Sequence, residues 1–373
     1  MDIFSRYLFF VFITSVAMGA FAQSGKFCLL GGIRAYVNKT NQHRIWVYLV
    51  AIAIALIGAN LLEYSAAINL NNTSPAYRSE NFAYGRYMIG GFVFGFAMVL
   101  ASGCGMRQLV KMGQGSLNAL LVVLVMAISV YMMLKTSLYA DVFMPILTPL
   151  SVDLSQLGSA EIAQQDLAST LVGESENKPI YRLLIALQIA FPIIYFSSKN
   201  SVFRQPRYFL GALGVGLAIV LGFYITGGEF GQLLIEEAEF MEDVPRGLAT
   251  QSYSFAAPLS DAVYAVLYNE GWSVITFGVV AVIGVPIGAF VSSLFRGEFR
   301  FSGFEFDKKL FAKMIGGVLA GIGSVLAMGC SVGHGLTGIS TLALGSFVAL
   351  AFIILGALVG LKLESLRGSR STS

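Results

Sequence analysis

The sequence predicts an all-α polytopic membrane protein with about nine transmembrane helices, built as two inverted repeats that each carry a Gly-Cys hairpin. Three observations predict this. The 373 residues are 56% hydrophobic with a mean hydropathy of +0.74 and only 12% charged, against about 25% charged in soluble domains. Apolar runs near the ~20 residues needed to span a bilayer recur along the chain. A seventeen-residue string also occurs twice, with its glycines and its cysteine in place.

The apolar runs lie at roughly 4–22, 45–62, 86–103, 116–135, 180–198, 208–226, 271–295, 311–329 and 343–363. Ala20-Phe21-Ala22-Gln23 has the form of a signal-peptidase site, but the charges that follow fit a retained first helix. Basic residues in short loops mark the cytoplasmic side. They cluster as Lys26, Arg34, Lys39 and Arg44, then Lys199, Arg204 and Arg207, then Arg296, Arg300, Lys308 and Lys309, and finally Arg367 and Arg370. The stretch 136–177 holds Asp141, Asp153, Glu161, Asp166, Glu174 and Glu176 without a base before Lys178, and 228–270 is acid-rich with Arg246 its only base. Both read as periplasmic. Nine spans, with the N-terminus periplasmic and the C-terminus cytoplasmic in a bacterial inner membrane, satisfy every assignment.

Residues 88–104 read MIGGFVFGFAMVLASGC and residues 314–330 read MIGGVLAGIGSVLAMGC, with ten of seventeen positions identical at an offset of 226. Chance matches a few apolar letters between membrane helices, but it rarely aligns four glycines and a rare cysteine. The predicted topology places the two copies in opposite orientations, with the helix near 180–198 supplying the flip. The organisation is therefore a first transmembrane repeat at 1–135 with the Cys104 hairpin, a periplasmic acidic loop at 136–178, and a second repeat at 179–373 with the Cys330 hairpin and a periplasmic loop at 228–270. Inverted repeats with broken helices characterise transporters that bind solute between their halves.

The chemistry of the repeat centres on Gly103-Cys104 and Gly329-Cys330. Glycine opens backbone conformations that end a helix, and the freed backbone groups are tolerated in a membrane only in protein interiors or along a cavity. Gly91 to Gly95 and Gly317 to Gly321 have the GxxxG spacing of closely packed helices. A thiol in apolar surroundings stays protonated and is a weak donor. Such a donor suits a soft sulfur anion, and weak, multiple sites favour passage. A lone buried cysteine is ordinarily a small core hydrophobe; duplication at one hairpin position argues for more. Arg107 and Lys111 follow Cys104 at helical spacing, as anion attractors or as ordinary cytoplasmic charges. His334 lies one helical turn after Cys330, in a packing, hydrogen-bonding or functional role.

Other classes lack apparatus. The net charge is +3, and no basic run with interleaved aromatics points to nucleic acid. Cys28, Cys104 and Cys330 are far apart and the only histidines are His43 and His334, which fits neither a metal site nor a disulfide framework. No P-loop lysine, hydrolytic triad or paired carboxylate lies in the spans, so neither an enzyme nor a bound cofactor is expected.

The chain resembles the YeeE/YedE sulfur-transport family. The resemblance rests on Phe27-Cys28 followed by Gly31-Gly32, on Gly90-Gly91-x3-Gly95-x7-Gly103-Cys104, on Gly316-Gly317-x3-Gly321-x7-Gly329-Cys330, and on SVGHGLTGISTLALGS at 331–346. It covers most of the chain and implies thiosulfate uptake across the bacterial inner membrane. It further implies that Cys104, Cys330 and Cys28 pass the ion along by SH-to-sulfur hydrogen bonds, with Gly103, Gly329, Arg107, Lys111 and His334 in support. Some members are linked to selenium metabolism, and the loop GCGMRQLVKMGQGS at 103–116 resembles that branch. Others are linked to a TusA-type sulfur-carrier protein, so the expected partners are thiosulfate or a similar small anion, membrane lipid and such a carrier. The loops 136–178 and 228–270 are longer than in a compact member. Two rivals stand beside transport: a membrane thiol-redox protein passing electrons, which the lack of any CxxC disfavours, and a membrane subunit that only docks the carrier.

Overall fold

The computed structural model describes residues 3–40, 42–154, 164–173, 177–200, 205–241, 244–268, 271–304 and 308–370, with side chains of the final helix described to residue 366. Glu161, Glu174, Glu176 and Arg204, used above for orientation, lie outside the described residues, as do the side chains of Arg367 and Arg370. Among the described residues, nine helical segments are long and apolar enough to cross a membrane. The protein is an all-α polytopic membrane protein.

The first segment is two helices, α1 (Ile3–Ser24) and α2 (Leu29–Val37), broken at Cys28. Helix α3 (His43–Tyr64) follows. The third segment is also broken: a wide turn at Arg86–Gly90 leads into α4 (Gly91–Leu100), and α5 (Gly105–Gly113) resumes after Cys104. Helix α6 (Leu117–Lys135) starts at Ser116, whose hydroxyl accepts the Ala119 N–H. Short helices α7 (Met144–Leu147) and α8 (Leu167–Val172) precede the spans α9 (Lys178–Ser198) and α10 (Pro206–Gly227). Then come α11 (Glu229–Ala238), α12 (Ala257–Leu267) and α13 (Phe277–Phe295), which is shorter than the expected 271–295 because Gly271–Val274 forms a separate turn and Thr276 caps the helix. Helices α14 (Lys308–Leu326) and α15 (Leu344–Arg370) complete the chain. The only paired strands among the described residues are Asn81–Phe82 and Val152–Asp153.

The two helices of the repeated string, α4 and α14, cross antiparallel. A side chain at Gly90 would collide with the backbone of Ala327, and one at Gly316 with the backbone of Ala101. These contacts exchange under the offset of 226, so glycine at either position permits the same backbone approach. Each helix also packs on the outgoing helix of the other copy, α4 on α15 and α14 on α6. The helix ends match too. Gly103 N–H bonds Met98 O at 2.9 Å and Ser102 N–H bonds Val99 O at 3.1 Å; Gly329 N–H bonds Ser324 O at 2.9 Å and Met328 N–H bonds Val325 O at 3.1 Å. Both are Schellman-type closures, with Ser102 and Met328 in the left-handed region at φ 58° and 66°. Around this pair, α1 packs on α13 and α10, α3 on α10 and α9, α5 on α13, and α6 on α12.

The two acid-rich stretches fold back into the molecule. Asp166 is fully buried, caps α8 through the N–H groups of Ala168 and Ser169, and pairs with Arg182 at 2.8 Å. Arg182 also bonds Glu63 at 2.9 Å, and Arg78 grips both oxygens of the same carboxylate. Two cations and two anions thus offset one another in a buried network. Burial alone would raise the Asp166 pKa; Arg182 and Arg78 outweigh it and hold the carboxyl below the usual range. Arg78 Nε donates to Thr341 O at 2.8 Å and Leu167 N–H to Leu342 O at 3.1 Å, which ties the network to the segment after Cys330. In the second stretch, Tyr253 and Phe255 are fully buried in an extended run before α12.

Candidate functional site

The three cysteines, scattered over some three hundred positions in sequence, belong to one buried cluster. All are free thiols. Each follows a break, so each sits at the start of a helical turn. Cys28 caps α2, its sulfur accepting the Gly31 N–H at 3.2 Å. Cys330 Sγ accepts the N–H groups of Gly333 and Phe255, both at 3.4 Å. Cys104 begins α5 with the Arg107 N–H and the Ser331 hydroxyl facing its thiol, beyond the geometry of a regular cap. A thiol that accepts through sulfur keeps its S–H free to donate elsewhere.

Tyr48 of α3 marks the point of convergence. It is buried, its hydroxyl donates to Ser331 O at 2.6 Å, and Cys104, Cys330 and Cys28 all lie near that hydroxyl. The Phe27 ring lies against it, with centroids 5.2 Å apart. Close by, the Tyr77 hydroxyl is buried without a hydrogen-bond partner among the described residues, and the buried Ser331 hydroxyl has only the Cys104 thiol before it. Such orphans are costly inside a protein unless something else engages them. Three thiols and two hydroxyls thus gather around one aromatic wall.

The supporting residues divide. Gly103 has φ 148°, which other residues rarely adopt, and a Cβ at Gly329 would press on the His334 ring at 2.9 Å. His334 is buried; its Nε2 bonds Ala327 O at 2.7 Å and its Nδ1 faces Ser346 Oγ at 3.2 Å. The position equivalent to His334 is Gln108, and Gln108 Nε2 donates to Ala101 O, the equivalent of Ala327 O. Unlike side chains therefore close both helix ends in the same way. Lys111 Nζ donates to Ser102 O at 2.6 Å, and Cys104 and Cys28 lie near it. Arg107 is half-buried, its stem against Gly103. A cavity of about 370 Å³ lies beside the Gly31 end of α2, lined by Lys26, Arg34, His43 and Arg44.

Tyr48, Tyr77, Ser331 and the Tyr253–Phe255 run were missed from sequence. The two tyrosines lie among 16 with nothing to mark them, and the run sits within a stretch read as a loop. Among the described residues, no group of three His, Cys, Asp or Glu side chains gathers as a metal site would.

A family model described as Sulphur transport matches residues 24–359. The chain is 24% identical over 354 residues to a protein of Escherichia coli (strain K12) named Thiosulfate transporter TsuA, covering 92% of this chain and 91% of the relative. It is 26% identical over 350 residues to a protein of the same name from Spirochaeta thermophila, covering 91% and 93%. The family match takes in both copies of the repeat and all three cysteines, and the chain belongs to the sulphur transport family.

Proposed function

We propose that this protein carries thiosulfate, or a closely related sulfur anion, inward across the bacterial inner membrane, handing it from Cys330 to Cys104 to Cys28 by thiol hydrogen bonds. Family membership and the names of the relatives support the activity and substrate class. Those names speak of thiosulfate and not of selenium. The observation that supports the mechanism is that three free thiols share one buried cluster, with Tyr48 bonded to Ser331 beside Cys330 and packed on Phe27 beside Cys28. An uncharged S–H facing the terminal sulfur binds weakly enough to let go, and no covalent intermediate is needed.

The proposed order is supported by where the helix breaks lie. Cys330 lies beyond the end of α14 where Arg86 also sits, and Lys111 is within reach of both Cys104 and Cys28. With the N-terminus periplasmic and the C-terminus cytoplasmic, the path runs from the Arg86 end to the Cys28 end. The division at 1–135, 136–178 and 179–373 then separates two oppositely oriented Gly-Cys hairpins. At the cytoplasmic end, the basic cavity beside α2 suits release of an anion to a TusA-type carrier.

The test is uptake of radiolabelled thiosulfate by purified protein in liposomes. Loss of one donor to the ion, at about 1.4 kcal/mol per tenfold, predicts initial rates at least roughly tenfold lower for Cys104→Ala and Cys330→Ala. Both variants should reach the membrane in normal amount. Unchanged rates would remove the thiol relay, and no uptake by the parent would remove transport itself.

A further inference from the structure

A second cavity of about 350 Å³ opens at the other end of the path, lined among others by Arg86, Ser74, Gln251, Ser254, Asp261 and Met328. That is an order of magnitude more than the ~30 Å³ share of one water, so a small hydrated anion fits. Its inner wall adjoins the thiol site: Met328 is two residues before Cys330, and Ser254 precedes Phe255, whose N–H bonds Cys330 Sγ at 3.4 Å.

Arg86 is the informative residue on the wall. Its Nε and Nη2 donate to Leu326 O and Val325 O at 3.2 and 3.1 Å, and its guanidinium lies 5.1 Å from the centre of the Tyr139 ring. The side chain is thus fixed from two directions. Among the described residues it has no carboxylate partner, and its Nη1 makes no hydrogen bond. The other cavity charge, Asp261, is matched by Lys135 at 3.5 Å. The Ser254 hydroxyl likewise has no hydrogen-bond partner among the described residues. A fixed guanidinium with an unused donor is suited to planar recognition of oxyanion oxygens.

We infer that this cavity is an outer capture site for the oxygen end of a sulfur oxyanion, with Arg86 its principal ligand and Ser254 passing the ion to Cys330. This rests on the transport reading above and divides its labour. Arg86 gathers oxyanions by charge, without distinguishing sulfate from thiosulfate, and the thiols then select for the terminal sulfur. Sulfate should therefore bind at the mouth and compete, without being carried.

The experiment compares parent, Arg86→Gln, Arg86→Lys and Gln251→Glu in proteoliposomes, reading KM and Vmax for thiosulfate and the inhibition constant for sulfate. Losing a charge-assisted contact predicts a KM raised about ten- to a hundredfold in Arg86→Gln, with Vmax little changed and partial recovery in Arg86→Lys. Gln251→Glu disturbs no link of Arg86 and should also raise KM, by adding a negative charge to the wall. The sulfate inhibition constant should rise with KM in the Arg86 and Gln251 variants and stay at the parent value in Cys330→Ala, read there by displacement of bound thiosulfate. Parent-like KM and sulfate inhibition in both Arg86→Gln and Gln251→Glu would overturn the capture site and leave the transport reading intact. A parent that takes up no thiosulfate would strike the transport reading instead.

Discussion

At the scale of single residues, the duplication preserves a task after the letters diverge. Gln108 and His334 stand at equivalent positions, and each donates to the alanine carbonyl that ends its repeat helix. His334 must carry its proton on Nε2 there, since a carbonyl only accepts. His334→Ala should therefore cost about 1–3 kcal/mol by leaving a buried carbonyl unpaired, lowering the melting temperature in detergent by several degrees. His334→Gln, which copies the other repeat, should recover most of it. Equal loss in both variants would show that the ring does more than close a helix. The sequence exposed Cys104 and Cys330 because a rare residue recurred in a matched string, whereas Cys28 lies outside it and was reached only through the family resemblance. It left the role of His334 open, because glutamine and histidine look unrelated until the carbonyls they reach are seen. Tyr48 carried no signal at all: its place near three thiols that are distant in sequence is visible only in the fold.

At the scale of elements, spans were legible because bilayer crossing demands long apolar runs, and most of the nine expected runs coincide closely with helices. Breaks were less legible. The run read as 86–103 continues through Cys104 into α5, and 271–295 loses its first turn to a separate one. The acidic stretches were the hardest part. Composition alone gives Asp166 the look of a loop residue, whereas it is fully buried and paired with Arg182. Arg182→Ala would leave Asp166 and Glu63 short of their partner, and such losses cost about 3–5 kcal/mol. The expected result is a large fall in melting temperature with little folded protein recovered. The pH dependence has a definite sign. Because the folded Asp166 pKa is depressed, its contribution is complete above the unfolded value near 3.9 and is lost as pH falls through the folded value. A melting series should show no loss from this pair between about pH 8 and 5, and a decline below about pH 4 that is absent in Asp166→Asn.

At the scale of the whole molecule, the antiparallel crossing of α4 and α14 sets one break from each repeat on a common interior. Gly90 meets Ala327 as Gly316 meets Ala101, so the approach is made twice from opposite directions. The surroundings are not symmetric. At one end Arg86 has no carboxylate partner among the described residues, and the nearby Lys135 is taken up by Asp261, while Arg107, Lys111 and Lys313 gather at the other. On the proposed path, an anion entering past one unmatched guanidinium and leaving among several cations would be drawn onward, with the thiols between as weak footholds. The central claim is that the terminal sulfur of the ion meets those thiols. Anomalous diffraction from crystals grown with selenosulfate, in which selenium replaces that sulfur, locates the atom directly. The account predicts a selenium peak beside at least one of Cys104 and Cys330, facing the Tyr48 hydroxyl. Selenium found only in other cavities, with none next to any of the three thiols, would contradict it.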